Sequence, residues 1–338
     1  MMKKTLVALA VLGASGLAAA QSSVTLYGIA DGGIGRVKNA GVDTKTKFMG
    51  GNWLVNNTPS RIGLKGVEDI GGGNVVGFGF EHGLSLDDGS NIEFSGANPL
   101  FAPSTGRFWD RDANVFIAGG WGAFKAGRQV TPTHITEFAY DLTGLANYSV
   151  MRGTYANTGM PVWGDAALAY VTPNMGGLQA AVAFVSKNNT GLKKNVWDLG
   201  AWYNNGGLGV GASVNKGLDG GKTNYHVGAK YGFGSFTVAG SYHQSSADGG
   251  ISLPYVDLLN PARELVRRGF GLGAQAKMGA FTVTLDLTRD TKNEWTGKKY
   301  TNALLEAKYS LSKRTFFYAD FLRLDGNNNW GLGINHSF

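Results

Sequence analysis

Apolar and polar residues alternate along most of this chain, in stretches of about ten residues that each end in a turn or a loop. In residues 61–67, Ile62 and Leu64 fall on one face and Arg61 and Lys65 on the other. This period of two residues is typical of a β-strand with one apolar face and one polar face. About sixteen such strands are predicted, near residues 23–31, 61–67, 75–86, 111–119, 123–129, 164–172, 178–187, 194–204, 207–216, 222–232, 235–245, 266–277, 280–289, 299–310, 314–324 and 329–338.

The connections between these segments tend to alternate in length. Short, glycine-rich connections include residues 71–73 and 204–207, whereas long ones fall near 39–59, 87–106, 131–162 and 246–265. Short turns at one end and long loops at the other are typical of an outer-membrane β-barrel, and an even number of strands closes such a sheet without an edge. The pattern therefore predicts an all-β, antiparallel transmembrane barrel of about sixteen strands.

Soluble all-β sandwiches and barrels show similar patterns, and on alternation alone they remain an alternative. Composition argues against them, because charged residues make up 16% of the chain, against roughly 25% in soluble domains. One face of the strands is aliphatic and aromatic, whereas the other is rich in Gly, Ser, Thr, Asn and charge, which suits a wet lumen. Aromatic residues also recur at strand ends, as interfacial girdles require: Tyr27, Trp121, Trp202, Tyr203, Tyr231, Tyr309 and Trp330.

The first twenty residues have the pattern of an export signal. Lys3 and Lys4 form a basic start, residues 5–12 are apolar, and Leu-Ala-Ala-Ala at 17–20 is a small-residue cleavage site. We therefore predict a signal peptide over 1–20 and a single domain over 21–338. Removing the leader keeps the net charge positive, and the chain has no cysteine with which to form a disulfide.

Several stretches resemble the general porins of β-proteobacteria, and the resemblance runs along the whole chain after the leader. These stretches are Ser-Ser-Val-Thr-Leu-Tyr-Gly at 22–28, Ser-Arg-Ile-Gly-Leu-Lys-Gly-Val-Glu-Asp at 60–69, Trp-Gly-Ala-Phe-Lys-Ala-Gly-Arg-Gln at 121–129, Tyr-Val-Thr-Pro-Asn at 170–174, Tyr-Ser-Leu-Ser-Lys-Arg-Thr at 309–315, and the final Phe338. The resemblance implies a sixteen-stranded homotrimeric channel in the outer membrane of a Gram-negative cell. It also implies that the third long loop, about residues 130–162, folds into the lumen and narrows it.

In that family, acidic residues of the loop face basic residues of the wall across a water-filled constriction. Arg61 and Arg128 match wall arginines of the family, and Glu137 and Asp141 are the expected acidic partners on the loop. Such a transverse field orients and sorts small hydrophilic solutes. The resemblance therefore implies that these four residues line the constriction.

Two positions depart from the strongly anion-selective relatives. Asp112 stands where those relatives carry an inward arginine, and Trp163 stands where a third wall arginine is expected. With two basic positions replaced, weak ion selectivity is predicted despite the positive net charge. Further candidates for the lumen are Lys65, Lys125 and Arg152.

Other classes of function are less well supported by the residues. A barrel enzyme such as a phospholipase or protease needs a nucleophile beside a base, and no such constellation stands out. Residues 271–276 fit the G-x-G-x-x-A dinucleotide pattern, but an alternating strand follows rather than a helix. The five histidines are scattered and the basic residues dispersed, so no cofactor, metal or nucleic acid is predicted. A solute-specific channel and a barrel with a blocked lumen remain alternatives to passive diffusion of ions and small solutes.

The last nine residues, Trp-Gly-Leu-Gly-Ile-Asn-His-Ser-Phe, alternate strictly. We expect Leu332 and Ile334 to face lipid, and Asn335 with its small neighbours to face the lumen. In relatives the terminal aromatic resembles a tag read by the barrel-assembly machinery, so the resemblance assigns Phe338 as an assembly signal. The other partners that it implies are outer-membrane lipid and lipopolysaccharide.

Overall fold

The fold is described from a computed structural model over residues 23–39, 42–50, 52–91, 107–190, 194–216, 222–246 and 265–338. The predicted signal peptide and most of two predicted long loops, 87–106 and 246–265, lie outside these residues. No helix in the described ranges is long and apolar enough to cross a membrane.

Sixteen long strands of 8 to 14 residues follow one another along the chain. They are β1 Ser23–Arg36, β2 Arg61–Gly71, β3 Asn74–Gly83, β4 Asp112–Gly119, β5 Gly122–Val130, β6 Trp163–Val171, β7 Leu178–Val185, β8 Val196–Asn205, β9 Leu208–Asn215, β10 Asn224–Phe233, β11 Phe236–Ser246, β12 Val266–Met278, β13 Phe281–Asn293, β14 Thr301–Ser310, β15 Thr315–Leu324 and β16 Asn327–Ser337. Each of them corresponds to one predicted segment. Strands β1 and β13 run several residues further than the alternation predicted.

The sheet closes on itself. Each long strand pairs antiparallel with the next, and β1 also pairs with β16, from Ile29 opposite Ser337 to Arg36 opposite Trp330. A short strand, Lys47–Met49, pairs with residues 33–35 on the other edge of β1, and two others, Lys38–Asn39 and Val42–Asp43, pair with each other. The prediction of a closed antiparallel barrel is confirmed, and closure leaves none of the long strands with a free edge.

The two faces of the sheet differ as the sequence pattern requires. In β16, Leu332 and Ile334 are 52% and 41% exposed, whereas Asn335, which follows Ile334 and points to the other face, is 2% exposed. Large apolar side chains are exposed on the outer face of nearly every strand, which forms an apolar band around the barrel. Two of the aromatic residues expected in the interfacial girdle point inward instead. Tyr27 reaches Glu81 and Trp202 joins a buried cluster.

A buried polar network fastens the seam between β1 and β16. Asp31, which is fully buried, accepts hydrogen bonds from Asn335 Nδ2 at 2.7 Å and from the Tyr318 hydroxyl at 2.7 Å. Asn56 Nδ2 donates to the same carboxylate at 3.2 Å. Strands from the two ends of the sequence are thereby joined through one side chain.

The connection between β5 and β6 is the longest one that the structure describes in full. It contains helix α1 Pro132–Glu137, helix α2 Val150–Tyr155 and a 3₁₀ turn over Ala156–Gly159. Most of its side chains are buried, and Tyr148 and Val150 pack with Leu304 and Tyr318 of the wall. A third helix, α3 Lys187–Thr190, follows β7.

Candidate functional site

Residues 131–162, here called the inner loop, are fastened to the inward face of strands β8 and β9. The Asp198 carboxylate accepts the backbone N–H of Thr133 at 2.9 Å and its hydroxyl at 2.6 Å. Asn215 donates to the Thr133 hydroxyl at 3.0 Å and to the Thr158 carbonyl at 3.2 Å. Asp198 lies between Trp197 and Leu199, which are exposed on the outer face. The loop therefore lies inside the barrel.

Two buried histidines of β10 and β11 continue this attachment. His226 Nδ1 accepts the Tyr140 hydroxyl at 2.7 Å, and its Nε2 lies 2.9 Å from the Thr136 hydroxyl. The Thr136 hydroxyl itself donates to the Thr133 carbonyl, so His226 donates from Nε2. The ring of His243 stacks on Tyr155 with centroids 4.6 Å apart. At His226, one ring nitrogen thus accepts a hydrogen bond from the inner loop and the other donates one.

Long side chains of later strands hold the backbone carbonyls at the middle of the inner loop. Lys230 Nζ donates to the Phe138 and Asp141 carbonyls at 3.2 and 3.3 Å. Gln275 donates to the Leu142 carbonyl at 2.7 Å, and Lys308 donates to the Thr143 carbonyl at 3.0 Å. Carbonyl groups that a mid-lumen loop would leave exposed thus find partners on the wall.

Glycines of the wall make room for the inner loop. A Cβ on Gly200 would come within 2.7 Å of the Thr136 methyl group, and one on Gly228 would come within 2.6 Å of the Tyr140 ring. Neither glycine needs its conformational freedom here. Both are required because the loop approaches the strand backbone too closely for any side chain.

The side chains of the two predicted loop acids, Glu137 and Asp141, form hydrogen bonds within the inner loop. The Asp141 carboxylate accepts the backbone N–H groups of Thr143 at 2.9 Å and Leu145 at 2.8 Å, and the Ser149 hydroxyl at 2.7 Å. Glu137 is 1% exposed and accepts the Thr158 hydroxyl at 2.9 Å. Burial raises the pKa of the Glu137 carboxyl to about 8. Among the described residues, neither acid forms an ion pair with Arg61 or Arg128, so the predicted loop–wall pairs are not brought together.

Arg152 also lies within the inner loop, where it is 3% exposed. Its guanidinium donates to the Leu145 carbonyl at 2.6 Å. Burial lowers the pKa of Arg152 to about 10; the negative charges of Glu137 and Asp141 oppose this shift, and the positive charge of Arg111 adds to it.

The opposite part of the wall carries a cluster centred on Glu81 of β3. Arg61 Nε lies 3.4 Å from Glu81 Oε2, and Arg111 donates to Oε1 of the same carboxylate. The Tyr27 hydroxyl donates to Oε2 at 3.0 Å. The Arg111 guanidinium also lies over the Trp163 ring, 4.4 Å from its centroid. An arginine is therefore stacked on Trp163, at the position where the resemblance implies a third wall arginine.

A second cluster is centred on Asp165 of β6. Its carboxylate pairs with Arg128 through one oxygen, and with Arg107 Nη2 at 3.1 Å through the other. The pairing of β5 with β6 shifts register between Gly127 and Gln129. Simple alternation would place Arg128 on the outward face with Phe124. The irregular pairing instead lets its side chain reach Asp165. Arg61 needs no such irregularity, because alternation alone places it inward.

The remaining candidates lie on the same side of the barrel. Asp112 pairs across the sheet with Glu81, which adds a second carboxylate beside Arg61 and Arg111. Lys65 Nζ lies over the Tyr27 ring at 5.3 Å and its side chain is exposed. Lys125, on β5, is partly buried opposite Phe116 of β4.

Comparison with known proteins decides what kind of barrel this is. The profile of the Gram-negative porin family matches residues 5–329. The chain belongs to this family. Outer membrane porin protein 32 of Delftia acidovorans is 31% identical to this porin over 351 residues, covering 98% of the chain and 92% of the relative. An outer membrane porin protein of Bordetella pertussis is 28% identical over 313 residues, covering 88% and 72%.

Solved structures agree on the fold. The structure described as an anion-selective porin from Comamonas acidovorans matches with a TM-score of 0.73 at 24% identity, covering 94% of the chain and all of that structure. Family and fold place this porin in the outer membrane of a Gram-negative cell and point to a channel rather than an enzyme. Within the described residues, no group of His, Cys, Asp and Glu side chains is arranged to hold a metal ion.

Four charged residues of the two wall clusters were not among the predicted site residues: Glu81, Arg107, Arg111 and Asp165. Glu81 has the inward parity of its strand, since Phe78 and Phe80 alternate with it, so that signal was present in the sequence. Asp165 was hidden because Ala166 beside it has a φ of 46°, which interrupts the alternation of β6. Arg111 precedes the first residue of β4, so no strand pattern assigns its direction.

Proposed function

We propose that this porin forms a water-filled channel for passive diffusion of ions and small hydrophilic solutes, narrowest between the inner loop and the arginine-bearing wall. The observation that carries the proposal is the attachment of residues 131–162 to the inward face of β8–β14, opposite Arg61 and Arg111. A loop held there reduces the cross-section while leaving guanidinium groups at the remaining opening. In this proposal Arg61, Arg111 and Arg128 act on passing solutes, whereas Glu137 and Asp141 shape the loop.

We further propose that the selectivity of the channel is weak, with a small preference for anions. Glu81 is shared by two arginines and Asp165 by two others. Two arginines and one carboxylate leave the Asp165 cluster with a net positive charge, whereas Glu81 and Asp112 together balance Arg61 and Arg111. A field from partly compensated charges still sorts ions, but less strongly than bare arginines would.

Planar-bilayer recording of the purified protein tests both statements. Stepwise conductance increases are expected, with a reversal potential in a salt gradient that lies on the anion side and close to zero. A protein that inserts but gives no conducting steps would contradict the channel. A large reversal potential of either sign would contradict the weak selectivity.

We also propose that Phe338 is an assembly signal. Phe338 pairs through its backbone with Gly28, with N···O distances of 3.1 and 3.2 Å, and its ring is 50% exposed. An exposed aromatic ring at this position is accessible to the barrel-assembly machinery. Replacing Phe338 with alanine should lower the amount of assembled homotrimer in the outer membrane, measured by gel mobility without heating. Unchanged yield would remove the assembly role.

A further inference from the structure

Residues 107–111, here called the rim segment, lead into β4 and touch both charged clusters of the wall. Arg107 Nη2 lies 3.1 Å from the Asp165 carboxylate. Arg111 donates through its side chain to the Glu81 carboxylate, and through its backbone N–H to the Glu81 carbonyl at 3.2 Å. The two clusters, which are centred on different strands, are therefore linked through one short stretch of backbone.

The rim segment also holds a cation that belongs to another strand. Arg128 Nε donates to the Asp110 carbonyl at 2.7 Å. Asp110 is 1% exposed, and its carboxylate accepts the backbone N–H of Gly83 at 2.7 Å. The place of Asp110 therefore fixes the guanidinium group of Arg128. Three of the four arginines in the two clusters thus depend on where this segment lies.

Aromatic rings anchor the same segment on the outward face of the barrel. Phe80 and His82 of β3 alternate with the inward Glu81 and so lie on that face. The Phe108 ring stacks on the His82 ring, with centroids 4.3 Å apart and planes 2° from parallel. The Trp109 ring lies 5.3 Å from the Phe80 ring and meets Phe108 edge-on at 4.8 Å. The backbone that carries the lumen cations is therefore fastened from outside the barrel.

Loosening this outer anchor should change the field in the lumen. Phe108 carries no charge, but Arg107 precedes it directly and Arg111 follows it by three residues. Glu81 and Asp165 belong to strands of the closed barrel and stay in place when the segment moves. Since Coulomb energy falls with distance, cations that leave fixed carboxylates shift the local balance towards negative charge.

We propose that Phe108 is a positioning residue for ion selectivity. By stacking on His82 outside the barrel, it holds Arg107 and Arg111, and through Asp110 also Arg128, at the narrow part of the channel. This inference rests on the proposed function, because it requires that arginines of the wall act on passing ions. It adds that a neutral side chain on the outer face helps to set the selectivity of the lumen.

The test measures reversal potentials in planar bilayers under a salt gradient for the wild type and Phe108→Ala. The alanine variant removes no charge, yet its permeability ratio should shift about twofold towards cations, because the arginines move away from passing ions. Phe108→Tyr keeps the stacked ring and should match the wild type. Phe108→Leu keeps apolar bulk for assembly but loses the stack, so it should shift in the same direction as Phe108→Ala.

Phe321→Ala is the matched control. Phe321 is an outward aromatic residue, 46% exposed, on β15, a strand that carries neither cluster. Its reversal potential should equal that of the wild type. In the background Arg107→Gln, Arg111→Gln, the shift caused by Phe108→Ala should fall by at least half, because the segment then carries no cation. A shift of full size in that background would show that Phe108 acts by another route and would overturn the proposal.

Hydrogen exchange gives a readout that needs no conductance. The Arg111 amide, which donates to the Glu81 carbonyl, should exchange faster in Phe108→Ala than in the wild type or in Phe321→Ala. Equal exchange, or an unchanged reversal potential in Phe108→Ala while Arg61→Gln still shifts it, would overturn this inference alone. A wild type without conducting steps would overturn the proposed channel, and the role in selectivity with it.

Discussion

The two sides of the barrel wall use inward polar groups in different ways. On the β8–β14 side, Asp198 and His226 are buried and form hydrogen bonds with the inner loop. On the β2–β6 side, the Arg61 side chain is 19% exposed and the Asp165 side chain 40% exposed. A buried polar group whose hydrogen bonds are all formed holds neighbouring segments in one arrangement, whereas a partly exposed charge acts on ions and solutes in the lumen. We call β8–β14 the scaffold side and β2–β6 the selective side. The exposure of their inward polar side chains, more than the residue type, distinguishes the two.

The largest effect on the scaffold side is expected from ionising the Glu137 carboxyl, which should weaken docking of the inner loop. The pKa of Glu137 in the folded chain is about 8, above its ordinary value near 4.3. The neutral form therefore favours docking of the loop, and this stabilisation is complete below the ordinary pKa. It is lost as pH rises towards 8, by up to about 1.4 kcal/mol per pH unit.

Glu137→Gln keeps the neutral shape and serves as the matched control. Hydrogen exchange of the backbone amides at 139–141 should be equal in the two proteins near pH 4. It should be faster in the wild type near pH 9, and comparison at each pH cancels the intrinsic effect of pH on exchange. A difference that stays constant from pH 4 to 9 would show that Glu137 does not titrate with docking.

A smaller disturbance of the same side is steric. Gly228→Ala places a methyl group against the Tyr140 ring, which should strain the site by about 1–3 kcal/mol and push Tyr140 away from His226. Because Tyr140 lies on the lumen side of the wall, displacing it and the inner loop away from the wall should lower single-channel conductance. Gly240→Ala, whose added Cβ would meet Leu272 at an ordinary 3.6 Å, should conduct like the wild type. Equal conductance of the two variants would argue against close contact of loop and wall.

On the selective side, removing the charge of a carboxylate tests how the two wall clusters set ion selectivity. Glu81→Gln and Asp165→Asn should each shift the reversal potential towards anions. One unit charge about 6 Å from an ion in water changes its energy by roughly 0.7 kcal/mol, or about threefold in permeability ratio. Arg61→Gln should shift it by a similar amount towards cations. A shift of the same sign in all three variants would rule out a direct electrostatic effect.

The weakest effect is expected at Lys65. Its ammonium group is exposed and lies over Tyr27 rather than in either cluster. Lys65→Gln should change the permeability ratio by less than about twofold, since water screens a charge that is not confined. A shift as large as that of Arg61→Gln would move the narrowest part of the channel towards Lys65.

The sequence predicted the barrel well because each strand repeats the same alternation. Asn335, directly after the exposed Ile334, shows this, since its burial follows from the alternation alone. The charge pairs were harder, because a partner across the lumen depends on how a loop folds. Asp141 illustrates the difficulty: its hydrogen bonds go to groups of its own loop, within eight residues of it. The alternation does not predict the directions of the Arg128 and Asp165 side chains, because the pairing of their two strands is irregular.

The network at Asp31 also bears on the order of folding. Its partner Asn335 is 304 residues away along the chain. Bringing such distant segments together costs about 5 kcal/mol of chain entropy by its length dependence alone, and contacts of this range form slowly. The seam is therefore expected to be the last pairing to form. Until then β1 and β16 are both free edges, so the unfinished barrel needs protection from pairing with other chains.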